Sequence, residues 1–222
     1  TVSFLNLKES DARALDTEIY ADKLLKVIGA QTVDSFDFSK YEDATFIHDM
    51  NTPIGDEYKN KYSLVFDGGS LEHVFNFPVA VKNCMQMVQV GGYFITVTTC
   101  NNFSGHGFYQ FSPELFFRIF TQENGYDLEG VYIAENNQWY KVKDPAAIQS
   151  RVTFRNNQET YIIVIAKKVA DADIFKTTPQ QSDYVTCWNA DGSEKSETLK
   201  AKVLRKLIKL YKRYFVTYDK AF

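Results

Sequence analysis

The sequence predicts an α/β domain in which helices cover both faces of a mostly parallel β-sheet. Short apolar or alternating runs, typical of strands, are separated by segments with apolar residues at three- and four-residue spacing, typical of helices. The last run, Thr160–Lys167, is nearly all apolar, as expected of a strand that is buried on both faces of a sheet.

The chain length suits one domain with an addition, because it has 222 residues. We expect the domain over residues 1–169, followed by residues 170–222 as a polar linker and a basic amphipathic helix. The longest strong apolar run, Tyr161–Ala166, is much shorter than the roughly 18 residues that cross a bilayer. The three cysteines (Cys84, Cys100, Cys187) are far apart and odd in number, which favours a reduced, cytoplasmic protein. Their spacing does not match that of zinc-binding cysteines.

The N-terminal elements follow from apolar periodicity and from stop signals. Asp16 or Thr17 suits the N-cap of a helix, apolar residues follow at helical spacing, and Gly29 is expected to end it. The predicted strands of this part are Thr1–Leu7, Val33–Phe38 and Ala44–His48.

The rest of the domain alternates in the same way. Asn76 and Pro78 are expected to start a helix that runs to Val88–Val90, where Gly91-Gly92 ends it. Ser112-Pro113-Glu114 supplies a cap, a first-turn proline and a first-turn acid for a helix over Glu114–Glu123. The predicted strands are Ser63–Phe66, Tyr93–Thr99, Leu128–Ala134 and Thr160–Lys167.

Three of the predicted strands end in an acid, namely Asp37, Asp49 and Asp67. In parallel sheets, ligands bind beyond the carboxyl ends of the strands, so these carboxylates are expected to face one cleft. There they could accept hydrogen bonds from ribose hydroxyls or from an exocyclic amine. The alternative for each acid is helix capping or turn chemistry.

Two loops and two histidines are candidates for chemistry. The loop Cys100–Phe111 is long and carries His106 between glycines, which favours a functional loop. His73 and His106 are the best candidate bases, whereas His48 lies in an apolar run and suits a structural role. Residues 135–158, which include Trp139-Tyr140, suit a lid or an acceptor pocket, or else an ordinary surface excursion.

The charge of the chain is unevenly distributed. Residues 199–222 carry a net charge of +7 and the remainder −10, within a total of −3. The acidic body disfavours nucleic acid as a partner, although the tail could contact phosphates. The apolar stripe Leu204, Leu207, Ile208, Tyr211 and Phe215 suits a helix bound to a membrane surface or an acidic partner, or one packed on the body. We favour packing on the body.

The stretch YSLVFDGGSLEHVFNFPVAVKNCMQMVQVGGYFITVTTCNNFSGHGFYQFSPELF (62–116) resembles class I S-adenosylmethionine-dependent methyltransferases. It has a strand ending in Asp, then Leu-Glu-His-Val, a helix, a glycine pair and the next strand. The resemblance spans roughly residues 1–168. It implies a Rossmann-like, seven-stranded, mostly parallel sheet with helices on both faces and an antiparallel last strand. It also implies S-adenosylmethionine as cofactor.

The resemblance implies a cofactor site at the strand ends. Asp37, with Phe38 beside it, would bind the adenosyl ribose hydroxyls, and Asp49 would face the adenine amine with Met50 beside the base. The methionine part of the cofactor would be bordered by Asp67, Gly68 and Gly69. Close approach of backbone to a ligand is one reason for the two glycines, and a tight turn with positive φ is the other.

One departure from the family is the stretch FLNLKESDA (4–12), where a glycine-rich loop is expected and no glycine occurs. Three outcomes follow: the cofactor binds in a modified way through Asn6 or Lys8, it binds weakly, or the fold has lost the reaction.

Glu72, His73 and His106 are also similar to the ligands of metal-assisted O-methyltransferases of this fold. These include the ubiquinone-pathway enzymes and the small-RNA 3′-end 2′-O-methyltransferases, in which a Glu-x-x-Glu-His segment and a later His hold a divalent ion. In this chain Gly69 replaces the first Glu. Alternatively, Glu72 and His73 form local hydrogen bonds that fix the loop.

The expected function is therefore O-methylation of a small-molecule or sugar-like acceptor, with His73, His106 and Glu72 as catalytic residues. The alternative is a non-catalytic relative that serves as a binding or assembly module. A dehydrogenase is disfavoured because it too would require a glycine-rich first turn.

Overall fold

A computed structural model describes residues 21–41, 43–189, 203, 206–207 and 218–220 of the chain. The chain divides into two compact units, Thr1–Asp49 and Met50–Phe222. The predicted strand Thr1–Leu7 and the start of the first predicted helix lie outside the described residues.

The first unit contains one helix and a pair of short strands. Helix α1 (Asp22–Val27) is followed by Gly29 at φ +113°, so the predicted stop is confirmed. Strands β1 (Phe36–Asp37) and β2 (Phe46–Ile47) pair in parallel, and are shorter than the predicted runs.

The second unit is built on a six-stranded sheet in the order β3-β4-β7-β5-β6-β8. The strands are β3 (Tyr62–Asp67), β4 (Val88–Asn101), β5 (Tyr126–Glu135), β6 (Gln138–Val142), β7 (Thr160–Lys168) and β8 (Tyr218–Lys220). Its helices are α2 (Phe77–Met87), α3 (Pro113–Ile119), α4 (Pro145–Ile148) and α5 (Ser182–Asn189), with 3₁₀ turns at Asp56–Tyr58, Leu71–His73 and Gln122–Asn124.

The strand directions agree with part of the prediction. β3 and β4 are parallel, while β7 is antiparallel to both of its neighbours, β4 and β5. The antiparallel last strand of the predicted domain is therefore present, and β3, β4 and β5 share one direction. The described residues show six strands in this sheet and a separate β1–β2 pair, so the seven-strand count is not confirmed. Four of the five neighbouring pairings in the six-stranded sheet are antiparallel.

The hydrophobic core joins α2 and α3 to the sheet. Buried and half-buried residues alternate along β4 from Gly92 to Thr98, as expected of a strand with one tightly covered face. Phe94 on that face stacks with Phe120 at 5.2 Å between ring centroids, and Phe120 contacts Tyr126. This packing fixes the position of β4, whose carboxyl end carries the loop with His106.

The predicted role of Gly91-Gly92 as a helix stop is wrong. Helix α2 ends at Met87, and the glycine pair lies within β4. Val88 pairs with Tyr62 and Tyr93 with Leu64, so the residues between form a bulge. Gly91 has φ +88°, and a Cβ at residue 92 would lie 2.8 Å from the carbonyl oxygen of Ser63. Both positions therefore require glycine for strand geometry.

The predicted lid over residues 135–158 begins instead as a β-hairpin. Trp139 and Tyr140 lie in β6, which pairs antiparallel with β5 through a turn at Asn136-Asn137. Both asparagines have positive φ, as a two-residue hairpin turn requires.

Part of the predicted linker is helical and contacts the body. Helix α5 is joined to it by an ion pair of 2.6 Å between Arg151 and Asp183, and the Ser182 N–H donates to Glu114 at 2.8 Å. Of the predicted basic helix, residues 203, 206 and 207 are described and are helical; the rest lies outside the described residues. Among the described residues, no helix combines the length and the apolar composition needed to cross a membrane.

Candidate functional site

The carboxyl ends of β3 and β4 place two segments at the same edge of the sheet. β3 ends at Asp67 and leads into the turn Leu71–His73, while β4 ends at Asn101 and leads into the loop with His106. Because the two strands are parallel, both segments leave the sheet at the edge where ligands bind in such folds.

Asp67 anchors the turn that follows β3. One of its carboxylate oxygens accepts from the Ser70 and Leu71 N–H groups at 2.9 and 3.2 Å, and the other accepts from the Thr96 hydroxyl at 2.6 Å. The residue is buried, and burial raises the pKa of its carboxyl group despite these hydrogen bonds. These contacts favour the turn-chemistry alternative for Asp67, and its contact with a cofactor stays a prediction.

Gly69 leaves room for the next acid. It has φ +103°, and a Cβ at this position would lie 3.2 Å from Oε1 of Glu72. The glycine is thus explained by the turn itself. A glutamate here, as in the metal-assisted enzymes, would be strained and would crowd Glu72. Gly68 is exposed.

Glu72 is almost completely buried, with 1% of its surface exposed. The Thr98 hydroxyl donates to its Oε2 at 2.7 Å. Its backbone oxygen accepts from the Phe108 and Tyr109 N–H groups at 2.8 and 3.2 Å. A Cβ on Gly107 would lie 2.8 Å from that oxygen, so the loop approaches the turn as closely as it does because residue 107 is glycine.

The second carboxylate oxygen of Glu72 faces two histidines. Its Oε1 lies 3.6 Å from Nε2 of His106, and Nε2 of His106 lies 3.3 Å from Nε2 of His73. One ligand atom from each of the three residues lies within 4.8 Å of the others, and both imidazoles are exposed. The structure therefore brings together the three residues that the sequence predicts as a catalytic or metal-binding group.

This geometry suits two kinds of chemistry. At 3.3 Å one imidazole N–H can donate to the ring nitrogen of the other, and Oε1 of Glu72 lies 3.6 Å from the same His106 nitrogen, close enough to stabilise a positive charge on that ring. Two nitrogens that share a metal ion at about 2.1 Å each are also about 3.3 Å apart. Two imidazoles and one carboxylate form a donor set for a divalent transition metal with open positions.

A polar cluster at the start of the loop was not predicted from the sequence. Asn101 and Asn102 both donate to the side-chain oxygen of Asn156, at 3.0 and 2.8 Å, and Asn156 in turn donates to Glu135 and Thr160. Asn102 has φ +63°, a conformation that asparagine tolerates. The Asn pair signals a turn, but its partner is 54 residues away and could not be identified from the sequence.

A cavity of about 230 Å³ lies beside this loop. Burial raises the pKa of the Cys100 thiol in its wall to about 12, so the thiol stays protonated at neutral pH. Val152 and Phe154 also line this cavity, so part of the segment 135–158, which is predicted to form a lid or an acceptor pocket, does line a cavity. The lining residues are Cys100, Asn101, Gln110, Phe111, Ser112, Pro113, Ile133, Val152 and Phe154.

The predicted nucleoside-binding residues lie in both units. Oδ1 of Asp37 accepts from the Ser39 N–H and hydroxyl at 2.6 and 3.2 Å, while no described residue donates to its Oδ2. The adjacent Phe38 is 73% exposed. Asp49 is half-buried, and the carbonyl of Met50 accepts from Asn83.

The convergence of Asp37 and Asp49 with Asp67 stays a prediction. Asn6 and the stretch 4–12, where the glycine-rich loop is expected, lie outside the described residues.

Neither a protein-family model nor a curated protein sequence matches the chain. Several solved structures are similar to it, and three of them are described here. A variant of the branched-chain polyamine synthase of Thermus thermophilus, in complex with N4-aminopropylspermidine and 5′-methylthioadenosine, has 14% identity, a TM-score of 0.41 and coverage of 73% of this chain. TehB of Haemophilus influenzae has 12% identity, a TM-score of 0.39 and the same 73% coverage. A candidate methyltransferase of Bacillus halodurans has 9% identity, a TM-score of 0.34 and 66% coverage.

The match spans 51%, 62% and 83% of these three proteins, respectively. At such identities and TM-scores the similarities assign neither a family nor a substrate, and the site is interpreted from its own geometry.

Proposed function

We propose that this chain is an S-adenosylmethionine-dependent methyltransferase that acts on an oxygen of a small-molecule or sugar-like acceptor. The observation that carries the proposal is the convergence of Glu72, His73 and His106 beyond the parallel strands β3 and β4. The antiparallel strand β7 and the resemblance over residues 62–116 support the same fold.

Methyl transfer to a hydroxyl group requires alignment of the reactants and removal of a proton. S-adenosylmethionine, when bound, supplies the electrophilic methyl carbon. His73 or His106 would accept the hydroxyl proton, since both imidazoles are exposed. Glu72 faces His106 with its Oε1 and would stabilise the imidazolium that results, while Thr98 holds its Oε2.

In the first unit, the residues proposed to bind the methyl donor are Asp37, Phe38 and Asp49. Asp37 retains one oxygen that no described residue uses, which suits a ribose hydroxyl, and Phe38 presents an exposed ring beside it. In the second unit, Met50 and Gly68 are the residues proposed to contact the donor. Asp67 would act by shaping the turn after β3, because its oxygens are already hydrogen-bonded.

We further propose that Glu72, His73 and His106 can hold a divalent ion. The 3.3 Å and 3.6 Å separations fit this donor set, and both imidazoles are open to solvent. A bound divalent ion lowers the pKa of an attached hydroxyl group.

Calorimetry with S-adenosylhomocysteine tests donor binding. We expect binding to the wild-type chain, at least tenfold weaker binding to Asp37→Ala, and no change in Asp56→Ala, a surface acid paired with Lys59. Absence of binding heat at high protein concentration would refute the methyltransferase and favour the non-catalytic alternative.

Titration with Co²⁺, followed by its visible absorption, tests the ion site without any turnover. The chain has three histidines, so His48→Gln is a matched control for His106→Gln. We expect one bound equivalent in the wild type and His48→Gln, and roughly 10- to 100-fold weaker binding in His106→Gln. Equal binding in the two variants would contradict the site.

A further inference from the structure

Two phenylalanine rings lie exposed at the same edge of the sheet. Phe75 is 72% and Phe108 66% exposed, yet their rings are in contact at 5.8 Å between centroids. Single exposed apolar residues are ordinary, but a contacting pair of large exposed rings at a ligand-binding edge points to a ligand. Neither residue has a role in the function proposed above.

Each of the two phenylalanines follows one of the two histidines in the sequence at the same spacing. Phe75 follows His73 by two residues, and Phe108 follows His106 by two residues. Their backbones are fixed, because the Tyr109 hydroxyl donates to the Phe75 carbonyl at 2.6 Å and the Phe108 N–H donates to the Glu72 carbonyl at 2.8 Å. The rings are therefore carried by the same rigid turn and loop as the imidazoles.

The shape of the pair indicates the size of its ligand. The ring planes meet at 83°, so they form the two walls of a corner. A planar ring in such a corner can stack on one wall and place its edge against the other, which are the two favoured aromatic geometries. The two phenyl rings together expose roughly 300 Å² at most, well below the about 800 Å² that each partner of a stable protein interface buries.

We propose that Phe75 and Phe108 bind a planar aromatic ring of a small-molecule acceptor. This inference rests on the proposed function, since it specifies the acceptor of that reaction. The neighbouring imidazoles then favour a ring that carries a hydroxyl group, because they offer a hydrogen-bond acceptor for it. An aliphatic alcohol of equal size would lack the stacking contribution.

The experiment is a ligand-observed NMR titration in EDTA, without methyl donor. The probes are 2-naphthol and its saturated counterpart decahydro-2-naphthol. Proteins are the wild type, Phe75→Leu, Phe108→Leu, the double variant, and Phe66→Leu as a control at another partly exposed phenylalanine. Leucine keeps an apolar side chain but removes the ring face, and both sites are exposed, so folding should be retained. Circular dichroism checks this for every variant.

We expect 2-naphthol to bind the wild type and Phe66→Leu equally, and the double variant about tenfold more weakly, as loss of a stacking contact implies. The saturated probe should bind the wild type about tenfold more weakly than 2-naphthol. Equal binding of the two probes, equal binding to the double variant, or no binding of 2-naphthol would each overturn the proposal.

The same proteins distinguish other occupants of the corner. Wild-type self-association that disappears in the double variant, measured by sedimentation, would assign the rings to a second copy of the chain and overturn the proposal. Because no donor is present, failure of this test is separate from failure to bind S-adenosylhomocysteine, which would refute the reaction itself.

Discussion

Two buried carboxylates lie side by side at the edge of the sheet, and each accepts a hydrogen bond from a threonine of β4. Thr96 donates to Asp67 and Thr98 to Glu72, at 2.6 and 2.7 Å. The similarity ends at the second oxygen. The second oxygen of Asp67 accepts hydrogen bonds from two backbone N–H groups, whereas the second oxygen of Glu72 faces the imidazole of His106.

The difference separates a structural acid from a candidate chemical one. A carboxylate whose oxygens are all hydrogen-bonded within the fold holds a turn in place, and removing it leaves buried donors without partners. A carboxylate with one oxygen directed at an exposed imidazole can orient that ring and stabilise its charge. Burial alone does not distinguish them, since both residues are buried.

The largest effect is expected from Asp67→Ala. It leaves the Ser70 and Leu71 N–H groups and the Thr96 hydroxyl without their acceptor. We expect a loss of about 3 kcal/mol in the free energy of unfolding, measured by urea denaturation. Asp56→Ala, at an exposed acid, is the control. A loss no larger than that of the control would mean that Asp67 does not hold the turn.

Glu72→Gln should separate activity from stability. Glutamine can still accept from Thr98, so the melting temperature should change little. Turnover, once an acceptor is known, should fall roughly 100-fold because His106 loses its charged partner. Before then, affinity for Co²⁺ should fall at least tenfold. A large loss of stability with unchanged Co²⁺ affinity would place Glu72 with Asp67 as a structural acid.

The two threonines allow a matched comparison of smaller effects. Thr96→Val and Thr98→Val each remove a hydroxyl donor to a buried carboxylate, and each should cost about 1 to 2 kcal/mol of unfolding free energy. Only Thr98→Val should also weaken Co²⁺ binding, by a few-fold, because it orients Glu72. Equal weakening by Thr96→Val would argue against two distinct roles.

The smallest effect is a pH dependence. Burial raises the pKa of Asp67, so the folded state binds its proton more tightly than the unfolded state does. The contribution of Asp67 to the free energy of unfolding is therefore greatest below the ordinary aspartate pKa of about 3.9, and it falls as the pH rises through the pKa of Asp67 in the folded state. Asp67→Asn does not titrate, so its stability relative to the wild type should increase with pH over that window. Urea denaturation of both proteins from pH 4 to neutrality measures this, and a constant difference would contradict it.

Local signals in the sequence were enough to locate much of the candidate site. The end of β3 and the cap at Ser112, whose hydroxyl accepts from the Glu114 N–H, depend on neighbouring residues only. Glu72 and His73 follow a strand end directly, and His106 stands out because it lies in a long loop.

Features that depend on distant partners could not be predicted. A glycine pair after a helix normally ends it, and only pairing with β3 shows that Gly91-Gly92 is a strand bulge. Lys168 lies one residue beyond the predicted strand Thr160–Lys167. It is buried and donates to Asn60 and to the Val88 carbonyl, which lie 108 and 80 residues away. The internal bonding of Asp67 likewise required knowing that Thr96 lies opposite.

The carbonyl of Glu72 accepts hydrogen bonds from Phe108 and Tyr109, and these two bonds have a kinetic consequence. They hold together the segments that bear His73 and His106, which are 33 residues apart in the sequence, before any ligand binds. The entropic cost of closing the loop between these two histidines is therefore met during folding and not during ligand binding. Association at this edge should accordingly proceed in a single fast phase, without a slow rearrangement step.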